Sequence, residues 1–458
     1  MLSHDETAII AQCTPHGSGA IALLRLTGAN AIEIATRMSK CASEKNIAQV
    51  PTHTIHFGWV VDTDGNNLDQ VLFLVMHAPR TFTGQDTVEI TCHNNPFIIE
   101  SIIQQALLHG ARVAREVEFS RRAVQNNKID ILQAEAIKDL IHANTSVALK
   151  SSMAQLEGSL SAWSQHIEKG LLKALAYCEA SFEYLDEEME FASDVQKILE
   201  TLVADIETMN VQFNQQEQIR QGIRIVIIGA VNAGKSSLFN ALLKKDRSIV
   251  TEVPGTTRDT VEAGLYRNGN YWTLVDTAGL RQTDDMIEQI GIDRAMNEAK
   301  TADVVVLVYD GSRAMTLEEH AVYADLHQKY AGKIIVVRNK SDLPRMQQTL
   351  LSADEYTCSR ASKTAVDAIE SAIQEKIKQL LSTCNAPYLL NQRQMHELQT
   401  LKKHIEQILA MLSDDTNVQY ELLAVHIKDA LQIISSLTGK SISEQGMDTI
   451  FREFCVGK

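Results

Sequence analysis

Apolar positions along the chain fall into two textures, and the boundary between them is a boundary of architecture. Up to about residue 120, short apolar or alternating runs stand between polar turns. Residues 20–26, 58–61, 71–76 and 87–91 follow the period of a strand, and residues 29–38 and 98–109 that of a helix. The mixture predicts an α+β domain over residues 1–120. Beyond it the spacing changes to threes and fours. Leu160, Trp163, Ile167, Leu171, Leu175, Cys178, Phe182 and Leu185 mark one face of a long helix, and Leu199, Leu202, Ile206, Met209 and Phe213 mark another. The same period returns with Leu398, Leu401, Ile405, Ile408 and Leu412. Such stripes are more often bundle core than partner surface. Polar stretches at 214–218 and 382–387 read as linkers, so the helices on both sides are expected to pack as one bundle with the intervening stretch inserted. The expected division is 1–120, then a helical domain split into 121–216 and 383–458, with a third domain at 217–382.

The inserted stretch carries the chemistry. Residues 224–228 form a short apolar strand that runs into GAVNAGKS (229–236) and then helical SLFNALLK, which is GxxxxGK[ST] in strand–loop–helix context. Gly229 and Gly234 let the backbone curl so that N–H groups from Asn232, Ala233 and their neighbours converge on one anion, helped by the helix N-terminus. Lys235 can bridge β- and γ-phosphates, and Ser236 can place a hydroxyl on Mg²⁺, with Ser237 beside it. Three further segments follow in order. The loop Thr251, Glu252, Val253, Pro254, Gly255, Thr256 and Thr257 leads into GTTRD, where Thr257 suits Mg²⁺ and the γ-phosphate. Asp276, Thr277, Ala278 and Gly279 form DTAG at the end of a strand at 271–275. Asn339, Lys340, Ser341 and Asp342 form NKSD after a strand at 333–337. Asp342 would accept hydrogen bonds from guanine N1–H and its amine, a pattern that adenine lacks, while the Lys340 stem covers the base. Backbone amides at Ser359–Arg360–Ala361 or at Ala361–Ser362–Lys363 would meet guanine O6, the first being favoured by its spacing from the next helix. Each segment alone is weak. Four in order at strand ends imply a Ras-like P-loop G domain that binds and hydrolyses GTP.

Where many such domains place a water-orienting glutamine after the DxxG glycine, this chain has Leu280, which can neither position water nor take a proton. Asn232, with carbonyls from the 251–256 loop, could cage a monovalent cation, and potassium suits a ring of neutral oxygens. Such a cation would do the electrostatic work of an arginine finger. The plainer alternative for Asn232 is a hydrogen bond that stabilises its own loop. Acids follow DTAG at Asp284, Asp285 and Glu288, and the residues themselves do not choose a general base among them.

Composition narrows the partners. Lys plus Arg is 43 against 58 Asp plus Glu, a net charge of −15, opposite in sign to a protein whose main task is to grip nucleic acid. A local basic candidate spans residues 112–128 with Arg115, Arg121 and Arg122, a solvated helix end being an equal alternative. Seven cysteines, odd in number and never in CxxC spacing, argue for reduced thiols. The N-terminus shows no signal-peptide pattern and no apolar run approaches a membrane span, so a cytoplasmic setting is expected.

The motif set NAGKSSLFNAL, IVTEVPGTTRD and DTAGLRQTDDMIEQIGI resembles the MnmE (TrmE) tRNA-modification GTPases, as do NNKIDILQAEAIKDLI at 126–141 and the terminal FCVGK. The resemblance implies an N-terminal domain that dimerises and binds a tetrahydrofolate one-carbon derivative. It implies a potassium-dependent G domain that pairs when GTP-bound. It also implies a heterotetramer with the FAD-carrying flavoprotein MnmG (GidA), which adds a carboxymethylaminomethyl or aminomethyl group at C5 of the wobble uridine of tRNA. The carbon would come from methylene-tetrahydrofolate and the nitrogen from glycine or ammonium. By position, Asn232, Thr251, Val253 and Thr256 would hold K⁺, Ser236 and Thr257 would hold Mg²⁺, and Glu288 would be the catalytic glutamate. Arg25, Glu89, Lys128 and Lys458 would contact folate, and Cys455 matches the family's C-terminal cysteine. Three departures stand out: Cys92-His93-Asn94-Asn95 in place of a His-Gly-Gly stretch, Glu116-Val117 in place of Pro-Gly, and Val231 in place of a P-loop proline. The alternative, an Era-like GTPase of ribosome assembly, predicts a basic RNA-binding appendage or a second G domain, and the sequence shows neither.

Overall fold

The computed structural model describes residues 6–43, 46–183, 191–210, 222–244, 261–276, 296–344, 355–359, 362–382, 388–413 and 419–441. Its backbone contacts gather into two units, Met1–Lys138 with Ala154–Ile206 and Gln392–Lys458, and Asp139–Met153 with Glu207–Asn391.

The first unit holds a sheet of β1 (Ile9–Gln12), β2 (Ile21–Thr27), β3 (Ser39–Cys41), β4 (Thr54–Val61), β5 (Asn67–Met76), β6 (Thr87–His93) and β7 (Arg112–Val113). Their order is β3-β4-β5-β6-β2-β1-β7, antiparallel except for the short β1–β7 pair. Period-2 alternation turns Val71, Phe73 and Val75 of β5 and Leu24 and Leu26 of β2 to one face. There α1 (Ala31–Arg37) and α2 (Pro96–Leu108) close over them with Ile34, Ala35, Ile102 and Ala106. The opposite face keeps Ile21, Ile55, Phe57 and Leu72 exposed, with Phe57 directly across from Leu72. The expected strands at 58–61 and 71–76 are the apolar ends of longer ones, because Thr54, His56, Asp69 and Gln70 continue the ladder with polar side chains.

The helices of this unit follow the predicted stripes. α3 (Glu118–Gln125) and α4 (Ile131–Ile141) precede α6 (Ser159–Glu183) and α7 (Phe191–Asn210), and α11 (Gln392–Leu412) and α12 (Tyr420–Thr438) complete the set, while α5 (Ser146–Leu156) belongs as far as Met153 to the second unit. Leu160, Ile167, Leu171 and Cys178 are buried on α6, as are Leu199, Leu202, Ile206 and Met209 on α7 and all five stripe residues of α11. Ala174, not Leu175, fills the fourth inward place on α6, and Trp163 is half-buried. The Phe182 side chain, Leu185, Phe213 and the linkers at 214–218 and 383–387 lie outside the described residues. α12 packs on both α6 and α11, so segments before and after the second unit share one bundle. Glu135 of α4 fastens them: its carboxylate accepts from Arg393 Nε and Nη2 at 2.8 and 2.7 Å and from Gln394 Nε2 at 2.7 Å.

The second unit is doubly wound. β8 (Ile223–Ile228), β9 (Val261–Arg267), β10 (Asn270–Asp276), β11 (Val304–Asp310), β12 (Ile334–Asn339) and β13 (Glu355–Thr357) lie in the order β13-β12-β11-β8-β10-β9. All neighbours are parallel except the β9–β10 hairpin. Successive β8 residues face opposite sides. Ile223, Ile225 and Ile227 pack with Leu238 of α8 (Lys235–Lys244) and Ile369 of α10 (Lys363–Ser382). Val226 and Ile228 pack with Tyr323 and Leu326 of α9 (Leu317–Tyr330). The hairpin turns on Asn268 and Gly269, φ +47° and +78°, the left-handed pair that an Asn-Gly loop favours. At that turn the chain before α5 docks: Tyr271 N–H donates to Asn144 O and Ser146 N–H to Gly269 O, both at 2.7 Å.

Candidate functional site

Because β10 and β11 flank β8 on opposite sides, the connections diverge and leave a crevice at the carboxyl edge of the sheet. β8 is a continuous apolar run because both its faces are covered. Its exit needs glycine. A Cβ on Gly229, φ +151°, would stand 1.9 Å from Val308 O, and one on Gly234, φ +97°, 1.9 Å from Asn339 Nδ2. Between them Asn232 takes φ +60°, and Asn232 and Val231 are exposed, Val231 at 81%. The side chain that replaces the family's loop proline therefore stands clear of the core. Ala230 N–H donates to Tyr323 Oη at 2.8 Å, tying the loop to α9.

Lys235 opens α8 and is only 6% exposed. Its ammonium donates to Gly229 O and Ala230 O, each at 2.8 Å. Burial pulls its pKa below the usual lysine value, opposed by the charge of Asp276, itself buried at the end of β10. Ser236 and Ser237 are exposed in the first turn of α8. The NKSD segment joins the same edge through Asn339, whose buried Nδ2 donates to Ala233 O at 2.8 Å. Lys340, φ +57°, donates to Asp310 Oδ2 at 2.6 Å. Desolvation works against the Asp310 carboxylate, but bonds from Lys340 and Ser312 hold its pKa below the ordinary value. Asp342 is exposed one turn on, and Ser359 is half-buried where Ser341 N–H donates to Cys358 O at 3.0 Å.

The structure thus brings together the P-loop, Asp276, Asn339 and Lys340, with Asp342 and Ser359 on adjoining exits. Thr251, Glu252, Val253, Pro254, Gly255, Thr256, Thr257, Thr277, Ala278, Gly279, Leu280, Asp284, Asp285, Glu288, Arg360 and Ala361 lie outside the described residues, as do Cys455 and Lys458. Tyr323 and Asp310 stand outside the four motif segments. Asp310 ends an apolar strand, a weak sign that could have been used, whereas nothing local marks Tyr323.

In the first unit, Arg25 and Glu89 are cross-strand partners, with Arg25 Nε donating to Glu89 Oε1 at 2.8 Å. The Arg25 guanidinium lies 5.5 Å from the Phe82 ring centroid and 5.4 Å from that of Phe119. Lys128 reaches the same loop, donating to Pro79 O at 2.9 Å and lying against Gly84. Val117 stands where the family pattern has glycine and adopts φ +58°, so the left-handed turn is kept at a cost in strain. The altered 92–95 stretch satisfies itself: His93 Nδ1 meets Asp69, Asn94 Nδ2 donates to Gly17 O and Asn95 Oδ1 caps α2. Burial pushes the Cys92 thiol up to about 11. Within the basic candidate at 112–128, Arg112 and the buried Arg122 both pair with Glu118, and Arg122 also donates to Thr7 O and Gln85, while Arg115 is exposed.

Among the described residues no helix is long and apolar enough to cross a membrane. A family model described as MnmE helical domain matches residues 131–455, and one described as GTP-binding protein TrmE N-terminus matches residues 8–128. Two proteins named tRNA modification GTPase MnmE span the chain closely. That of Geobacillus kaustophilus (strain HTA426) is 36% identical, covering 100% of both chains. That of Bacillus subtilis (strain 168) is 35% identical, covering 98% of this chain and 99% of its own. Among solved structures, the G domain of the T. maritima FeoB iron transporter is 22% identical and covers 34% of this chain and 98% of its own at a TM-score of 0.26, too low to weigh in the assignment. With two family models and full-length relatives converging on it, this chain belongs to the MnmE tRNA modification GTPase family.

Proposed function

We propose that this chain binds GTP on the carboxyl edge of the six-stranded sheet and hydrolyses it to drive tRNA modification. The observation that carries this reading is the Asn339 Nδ2 bond to Ala233 O, which ties the base-reading segment to the phosphate loop. In this reading Lys235 turns its ammonium from the loop carbonyls to the β- and γ-phosphates, and Asp342 accepts from the guanine edge. The exposed hydroxyl of Ser236 and the exposed amide of Asn232 are neutral oxygen donors, of the kind that hard cations prefer. Ser236 with Thr257 would hold Mg²⁺, and Asn232 with Thr251, Val253 and Thr256 would hold K⁺. Those ions supply positive charge where the transferring phosphoryl group accumulates negative charge. Glu288 would orient the attacking water, Leu280 being unable to.

The wider assembly belongs to the same proposal. Residues 1–120 would dimerise and supply Arg25 and Glu89, with Lys128 and Lys458 from the helical domain, to a tetrahydrofolate one-carbon derivative. Residues 217–382 would act as the G domain within the split helical domain of 121–216 and 383–458. A flavoprotein partner of the MnmG type, carrying FAD, would complete a cytoplasmic complex that modifies C5 of the wobble uridine. The exposed Ile21, Ile55, Phe57 and Leu72 support a pairing surface on the first unit.

The test is steady-state GTP hydrolysis by the full chain with Mg²⁺ in matched potassium and sodium buffers. Much faster turnover in potassium is expected, and Glu288→Ala should bind GTP while losing hydrolysis. Equal rates in the two salts would remove the cation argument.

A further inference from the structure

α11 and α12 carry a side-chain cluster that neither the GTP reading nor the folate reading uses. His404 stands on α11, and His426 and Asp429 stand on α12, three residues apart and so on one face of that helix. One ligand-capable atom from each lies within 4.8 Å of the other two. The histidines are half-buried and Asp429 is exposed. His426 Nδ1 is buried and has no hydrogen-bond partner among the described residues. Buried polar atoms are nearly always satisfied, so an orphaned nitrogen on an imidazole that belongs to this cluster calls for an explanation. Hydrogen bonding does not supply one, because no side-chain hydrogen bond or ion pair of these three occurs among the described residues.

Donor chemistry does. Two neutral imidazoles and one carboxylate are a nitrogen–oxygen set suited to zinc and its neighbours in the first transition row, and unsuited to Mg²⁺ or Ca²⁺, which take oxygen. Ligand bonds of about 2.0–2.2 Å in a tetrahedral arrangement separate ligand atoms by roughly 3.3–3.6 Å. Binding would therefore draw the three atoms closer than the present limit of 4.8 Å. We propose that His404, His426 and Asp429 form a zinc site that staples α11 to α12, with the fourth position open to water. An ion bound by the folded hairpin and not by the unfolded chain stabilises the bundle by linkage.

The test is calorimetric titration of Zn²⁺ into the metal-stripped, reduced full chain, paired with thermal melts. One site per chain is expected, lost in His404→Ala and in Asp429→Asn, with a Zn²⁺-dependent rise in melting temperature in the parent that both variants lack. Co²⁺ should give a visible d–d band in the parent that the same variants lose. Asp429 is exposed, so Asp429→Asn should melt like the metal-free parent and decides the matter even where His404→Ala disturbs packing. An unchanged isotherm in Asp429→Asn and in His404→Ala, or no zinc binding by the parent beyond that of the double variant, overturns the site.

Discussion

Glu118 sits between Arg112 and Arg122 at the start of α3, where it is nearly buried. Desolvation pushes its carboxyl up. Hydrogen bonds from Arg112 and the Arg115 N–H, with the two guanidinium charges, outweigh that and hold it below the ordinary 4.5. A lowered folded value means that the carboxylate stabilises the fold at pH above about 4.5, and that the contribution is withdrawn as pH falls through the folded value. Glu118→Gln should therefore cost about 1.5–3 kcal/mol at neutral pH. The gap from the parent should narrow steadily as denaturation is repeated below pH 4.5. A constant gap across that range would show that the charge is not what matters. At this scale the sequence was most legible where chemistry is local. Gly229, Gly234, Lys235 and Asn339 announce themselves within short strings. Tyr323 does not, because the partner that gives it meaning lies 93 positions away.

Elements reveal a different kind of information. Glu135 and Arg393 are 258 positions apart, yet their paired bonds join α4 to α11 across the inserted unit. Glu135→Ala would leave a guanidinium in a buried setting without its counter-charge, at a cost of about 3–5 kcal/mol. Urea denaturation followed by helical signal should show the loss. An unchanged midpoint would mean that the apolar stripes alone hold α4 to α11. Those stripes were legible because a helix buries every third or fourth residue. β1 and the polar halves of β4 and β5 were not, since their membership depends on neighbours that no local pattern records. The Asn268-Gly269 turn carries a local signature, a two-residue loop of the type that hairpins favour.

For the molecule as a whole the charge is −15, and Arg112 and Arg122 of the basic stretch are paired with Glu118, so under the proposed function a partner would supply much of the positive surface that tRNA needs. The exposed apolar face of the first sheet is the complementary feature. If the proposed pairing uses this face, Phe57→Asp should shift the full chain toward monomer in sedimentation at micromolar concentration, and a dimer that Phe57→Asp leaves intact would place the pairing surface elsewhere. The docking of Asn144 and Ser146 on the β9–β10 turn acts at this scale too. β10 carries Asp276 at one end and that docked turn at the other, about 20 Å along a strand of seven residues. β10 thus joins a nucleotide-site carboxylate to the turn on which the chain before α5 is docked, and under the proposed function a change at one end is expected to be felt at the other. Amide hydrogen exchange at Ser146 and Tyr271 should then change between GTP and GDP, although neither residue lies in the phosphate site.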